Sequence, residues 1–388
     1  MLGVSAILIF ERPTGKEYKA IAERLLNEAR QQFANIRGVT VREVTLEVVN
    51  KSWVAENWGM PSDSELEELH REENIYKALF LIPQNVSLVD TQLDWTSLFH
   101  AAKWNGKIYI VEENFDITNE FSVTSTFVHE LTHIMQDSFS LPMRTTFDGS
   151  KALTSLKEGD ATLMADTFKN NGVVPISLKI TSTNESSLRF TFLLKDGVQL
   201  SLPDSIDNLN RFPYRYGLEF VKALYSQGGW NAIDEAYANP PNTTEQIMHP
   251  EKYLSQESAK NVEVPPVPVE WNLIANDSYG EGFISIMLDN WISEEDAEDA
   301  SKGWGGDVFS YYESGNEFLF TWNIVWDTAD DANEFYLAFQ DMMYQASAEK
   351  HNCNYWSAYG RYISIQPSGN STLIVSSANE ALLQQLIS

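Results

Sequence analysis

Apolar positions recur at helical spacing over residues 16–36, where Ile21, Leu25, Leu26, Ala29 and Phe33 share one face and Gly38 follows as a stop. The period then changes. VTVREVTLEVV, residues 39–49, alternates and is rich in β-branched side chains, which predicts a strand. SDSELEEL opens a capped helix over 62–79, and the continuous apolar run ALFLIP after it predicts a short buried strand. In LFHAAKWNGKIYIVEE, Asn105 and Gly106 separate two apolar runs, a strong hairpin signal. Helical spacing returns in TSTFVHELTHIMQD, residues 124–137, where Phe127, Val128, Leu131, Ile134 and Met135 supply an apolar surface and Ser122 or Thr124 caps the start. Further helices are expected over 153–168, 216–226 and 230–238, with a strand pair around KDG in 176–202.

The clearest boundary is NVEVPPVPVE, residues 261–270, whose prolines favour an extended connector. Beyond it the pattern predicts strands near 308–312 and 318–326, a helix over 329–345, strands near 359–366 and 372–376, and a short final helix. The organisation expected is an α+β protein in three parts: a lead-in over 1–60, a main domain over 61–260 and a smaller α+β domain over 270–388.

Charge narrows the partners. Among 388 residues, 55 acidic side chains oppose 27 basic ones, a net charge of −28 that repels nucleic acid and anionic membrane surfaces. The single cysteine, Cys353, excludes an intramolecular disulfide and a cysteine metal cluster. The opening MLGVSAILIFERP is shorter than the ~20 residues that cross a bilayer. It reads as a buried strand or as the tail of an anchor or signal segment, and such an anchor is the only route to a membrane that the chain suggests. The tryptophans are scattered, without a stacking stripe. SEEDAEDASKGW, residues 293–304, reads as a capped, solvated helix. Serine-nucleophile and phosphate-loop motifs are absent.

The chemistry concentrates in HELTH, residues 129–133. On a helix His129 and His133 lie on one face a turn apart, so both imidazoles reach one metal ion. Glu130 sits about 100° around from His129, a poor third ligand but well placed for a water beside the metal. A chance match of this kind in such a chain has a probability of roughly 1%. A catalytic zinc needs a third protein ligand. The metzincin continuation fails, because Gln136, Asp137 and Phe139 occupy its slots. Glu158 in LKEGDATLMAD, on a second helix where Gly159 and Ala161 allow close packing, is the leading third ligand. Asp148 and Asp160 are its rivals.

His129, Glu130, His133 and Glu158 resemble the gluzincin arrangement of thermolysin-like zinc peptidases. HELTHIMQD, EGDATL, NTTEQIMHPEKYL, GWGGD and VWDTADDANEF further resemble one poorly characterised family of predicted surface-associated zinc metallopeptidases, over a span from about residue 90 to near the C-terminus. The resemblance implies a zincin-like catalytic domain over 61–260, Zn2+ held by His129, His133 and Glu158, and a peptide or protein substrate. Water activated by the zinc would attack the peptide bond with Glu130 as general base. It also implies an extracytoplasmic or membrane-associated location. A downstream His or Tyr would stabilise the oxyanion; His249 is the first candidate, with Tyr214, Arg215 and Tyr216 open. From the residues alone, Asp137 or Asp166 is open as the group that orients a ligand imidazole, and either reads equally as a solvated helix residue. KIYIVE is expected to offer a free sheet edge to an extended peptide, against the alternative of an internal strand. A structural metal in a non-catalytic surface protein, or a zinc hydrolase acting on another amide or ester, are the competing functions.

Overall fold

The computed structural model describes residues 13, 15–59, 61–96, 99–176, 203–268, 270–315 and 317–387. Residues 1–12 of the apolar opening and 177–202 of the expected strand pair lie outside them. In chain order the elements are α1 (Gly15–Arg37), β1 (Leu46–Val49), α2 (Lys51–Val54), a π-helical turn (Ala55–Gly59), α3 (Asp63–Ala78) and α4 (Leu88–Thr96). The hairpin β2 (Ala101–Trp104) and β3 (Lys107–Val111) precedes α5 (Glu120–Gln136), α6 (Phe147–Lys169), α7 (Asp204–Ala238), α8 (Thr244–Met248) and α9 (Pro250–Leu254). The rest is β4 (Asn272–Asp277), α10 (Gly280–Asp289), α11 (Glu294–Ser301), β5 (Trp304–Ser314), β6 (Glu317–Trp326), α12 (Ala329–Gln345), β7 (Glu349–Asn352), β8 (Tyr355–Ala358), β9 (Arg361–Ser368), β10 (Ser371–Ser377) and α13 (Glu380–Ile387). The fold is α+β. Among the described residues no helix is long and apolar enough to cross a membrane.

The chain forms two compact units, each built from separate stretches. The first comprises Met1–Met60, Trp95–Ser138 and Ala161–Gln199, the second Pro61–Asp94, Phe139–Asp160 and Leu200–Ser388. Helix α6 runs unbroken from the second into the first.

In the first unit three strands pair in the order β1-β3-β2, with β1 parallel and β2 antiparallel to β3. Asn105 and Gly106, at φ 47° and 72°, make the tight turn that the sequence announced. KIYIVE is not an edge: β3 is the middle strand, and among the described residues the outer strands are β1 and β2. Register sets the two faces. Leu46, Ala101, Lys103, Ile108 and Ile110 point to one side, where Lys103 meets Asp137 at the end of α5. Ala102, Trp104 and Tyr109 point to the other. There the π-helical turn and α2 bring Trp58 and Trp53 onto Tyr109, with ring centroids 5.5 and 5.1 Å away, and Trp104 stands 6.0 Å from Trp58. Tryptophans scattered in the sequence are thus gathered in space.

The second unit holds a seven-stranded antiparallel sheet of order β4-β5-β6-β10-β9-β8-β7. Trp322, Ile324 and Trp326 of β6 are fully buried, and Trp326 packs its ring 4.9 Å from Phe335 of α12. Leu382 and Leu383 of α13 close a second cluster with Tyr312, Leu319, Tyr355 and Val375. The sequence foresaw β5, β6, α12, β9 and β10 but not β4, β7 or β8. ALFLIP is a correction of another kind. Leu79 to Ile82 are buried as expected, yet they form turns, not a strand. Phe80, at φ 59°, turns the chain, and its carbonyl accepts from the Trp291 indole at 2.7 Å. A continuous apolar run shows burial without showing conformation.

The proline-rich 261–268 is extended, and it lies within the second unit as a docked strap. The Lys260 amide donates to the Gly305 carbonyl at 2.6 Å, and Asn323 donates to the Glu263 carbonyl at 3.1 Å. A Cβ on Gly306 would lie 2.5 Å from the Lys260 carbonyl oxygen, so the close approach requires glycine.

Candidate metal centre

Helix α5 starts one turn earlier than its expected caps. Asn119, not Ser122 or Thr124, is the cap, its side chain accepting from the Ser122 amide at 3.2 Å. Nearly every residue from Val123 to Gln136 is buried, so the histidines sit on a helix wrapped by packing on most of its circumference. His129 and Glu130 are each 2% exposed, and His133 is half-buried. The two imidazoles present Nε2 to Nε2 at 3.1 Å, with ring planes 84° apart. Two nitrogens on a tetrahedral zinc, each ~2.0–2.1 Å from the ion, would be about 3.3 Å apart. The pair therefore has the bite of a metal clamp.

Helix α6 begins at Phe147, six residues before its expected start, and carries Glu158 at its midpoint. His129, His133 and Glu158 each offer one ligand atom, and these three atoms all lie within 4.8 Å of one another. The donor set, two imidazoles and a carboxylate, suits zinc. The rivals on α6 are engaged in the second unit. Asp160 is buried and accepts from the Tyr237 hydroxyl at 2.8 Å. Asp148 is buried and accepts from both the amide and the hydroxyl of Thr244.

The expected orienting carboxylates do other work. Asp137 pairs with Lys103 and Arg42, and Asp166 pairs with Lys169 at 3.2 Å. His133 instead has its Nδ1 2.9 Å from Oε1 of Gln136, which the sequence reading passed over. The available signal was spacing: residues three apart share a helix face.

His249 lies between α8 and α9, and its Nε2 is 2.8 Å from Oε1 of the fully buried Glu281 on α10. Burial alone would lower the pKa of His249, but the hydrogen bond and charge of Glu281 outweigh it and raise the value. Tyr216 donates to Glu298 at 2.6 Å and Arg215 pairs with Glu294 at 2.5 Å, so both are held by acidic partners on or beside α11. A second acidic group, Glu245, Glu257 and Asp327, already surrounds a cation: the ammonium of Lys252 contacts all three carboxylates.

Residues 271–387 match a family model described as a domain of unknown function (DUF8575). No curated protein and no solved structure matches the chain. The matched stretch covers β4 through α13, and two of the quoted motifs lie within it. Their role in the structure is architectural. In GWGGD, Asp307 accepts from the amides of Tyr279 and Gly280, the Ser278 hydroxyl and the indoles of Trp304 and Trp322. In VWDTADDANEF, Asp327 pairs with Lys252 and Lys260 while Thr328 and Asp331 form a capping box for α12. NTTEQIMHPEKYL lies before the match and joins the same network, since Thr244 also accepts from the Gly282 amide at 3.0 Å.

Asp148 gives this network a pH dependence. Burial pushes its carboxyl up to about 8, against the opposing pull of the Thr244 hydrogen bonds. Folded Asp148 therefore keeps a proton that the unfolded chain releases near 3.8, and its contribution to stability fades as pH rises from 3.8 through about 8. Asp148→Asn retains an acceptor oxygen and removes the titration. Unfolding followed at several pH values should lose up to one proton's worth of slope in that window, about 1.4 kcal/mol per pH unit. An unchanged slope would place the titration elsewhere.

Proposed function

We propose that the chain is a zinc-dependent metallopeptidase with a gluzincin-like centre. The observation that carries the reading is the convergence of His129, His133 and Glu158 within 4.8 Å, with Glu130 beside the first histidine on the same helix. His129 and His133 would hold the ion through nitrogen and Glu158 through oxygen. When bound, zinc would supply Lewis-acid polarisation of the scissile carbonyl and lower the pKa of a water towards ~7.

The chain's own groups do the rest. Glu130 accepts the proton of the attacking water on its carboxylate and returns it to the departing amine nitrogen. Its burial excludes competing solvent and strengthens its interactions. The outer side of β2, unpaired among the described residues, is where an extended peptide would add by main-chain hydrogen bonds, in place of β3. His249 remains the proposed oxyanion group, oriented by Glu281.

Elemental analysis of protein purified without chelator tests the first step. One zinc per chain is expected in the parent, and substoichiometric metal in His129→Ala and His133→Ala. A parent without zinc, or variants that retain it, would overturn the reading.

A further inference from the structure

We propose that Gln136 is a positioning residue for His133, fixing the imidazole tautomer in which Nε2 carries the lone pair that a metal ion takes. The proposal rests on the zinc reading and concerns a residue that no motif assigns.

A glutamine side-chain oxygen can only accept a hydrogen bond. With Gln136 Oε1 2.9 Å from His133 Nδ1, the ring must carry its proton on Nδ1. Nε2 of the neutral ring then carries the lone pair, and it lies 3.1 Å from Nε2 of His129. Without a cation, that approach needs a proton on the His129 side. With one, both lone pairs converge on it. Gln136 thus decides which ring of the pair is the standing acceptor.

The geometry is held firmly. Gln136 ends α5 and is 2% exposed, so its side chain has little room to leave the ring. Asp137, one residue on, cannot take over, because Lys103 and Arg42 hold it. The choice of an amide has a chemical consequence. A carboxylate behind a ligand histidine raises its basicity, whereas a neutral amide sets the tautomer without adding charge. In a chain of net charge −28 this avoids adding one more anion behind a histidine of the proposed site.

Two measurements test the proposal. Nitrogen-15 spectra of the imidazoles in metal-free protein report the tautomer directly. The parent should show His133 protonated at Nδ1, and Gln136→Ala should shift it towards Nε2–H. Zinc competition against a chelator, with Co2+ absorption as the spectroscopic signature, reports the ligand field. Gln136→Ala should bind zinc 10–100-fold more weakly, and Gln136→Glu should restore the affinity and alter the Co2+ spectrum. An Nε2–H tautomer in the parent, or parental affinity in Gln136→Ala, overturns the proposal even in a chain that binds zinc. A parent that binds no zinc sinks the zinc reading and this one with it.

Discussion

Glu130→Gln is expected to lower peptide hydrolysis by about 10²–10⁴-fold while leaving zinc content and the thermal transition at parental values. The substitution keeps the size of the side chain and its capacity to accept one hydrogen bond, but removes the ability to take a proton. Glu130 is 2% exposed, on a helix buried over most of its surface, so an isosteric amide disturbs packing little. The histidines are unaltered, so metal affinity is a separate readout. Cleavage of a peptide library by both forms, followed by mass spectrometry, checks the prediction. Equal cleavage by the two would refute Glu130 as the base. No cleavage by either, with zinc present in both, would instead favour a structural metal, because a site that only holds its ion has no use for a neighbouring proton acceptor. Glu130→Asp should fall between, since the shorter carboxylate keeps the chemistry and loses the reach.

The elements around this centre differ in how openly the sequence announced them. Local signals were legible. Asn105-Gly106 fixed the hairpin, Ser62 and Glu65 formed their capping box, and the spacing of Leu25, Ala29 and Phe33 marked α1. What escaped was set by distant partners. ALFLIP is apolar enough for a strand, but Asn290, Trp291 and Ser205 take its carbonyls, which leaves no ladder to join. The tyrosine and tryptophans that meet on the β2–β3 face come from four elements, and no linear stripe records them. The same holds at the site. His129, Glu130 and His133 were readable because helical periodicity alone sets their geometry. Asp137 and Asp166 are open as orienting groups because they are acidic, yet each pairs with a cation in the fold. In a chain so rich in carboxylates, composition misdirects the choice of an orienting partner, and it is the uncharged Gln136 that hydrogen-bonds His133.

Gly217→Ala is expected to destabilise the second unit by about 3 kcal/mol or more, at the upper end of overpacking costs, and to lower its thermal midpoint by roughly 6–12 °C. The sequence makes Gly159 and Ala161 small residues expected to let α6 approach α5. For Gly159 the partner is different: it packs against α7. A Cβ on Gly159 would overlap the carbonyl oxygen of Gly217, and a Cβ on Gly217 would overlap that of Ser155. Both obstacles are backbone, so no rotamer change relieves them, and the two helices must separate. Glycine in a helix interior costs roughly 0.5–1 kcal/mol relative to alanine, so its presence on both sides of one crossing reflects the approach itself. Calorimetry of Gly217→Ala beside Thr154→Ala, an exposed position of α6, checks this, with the control expected within about 0.5 kcal/mol of the parent. The consequence for chemistry follows from the chain. Glu158 precedes Gly159, so a displaced α6 carries the proposed third ligand with it. Gly159→Ala should therefore weaken zinc binding as well as stability, although it alters no ligand. Parental stability in both glycine variants would show that the crossing is looser than the backbone contacts imply.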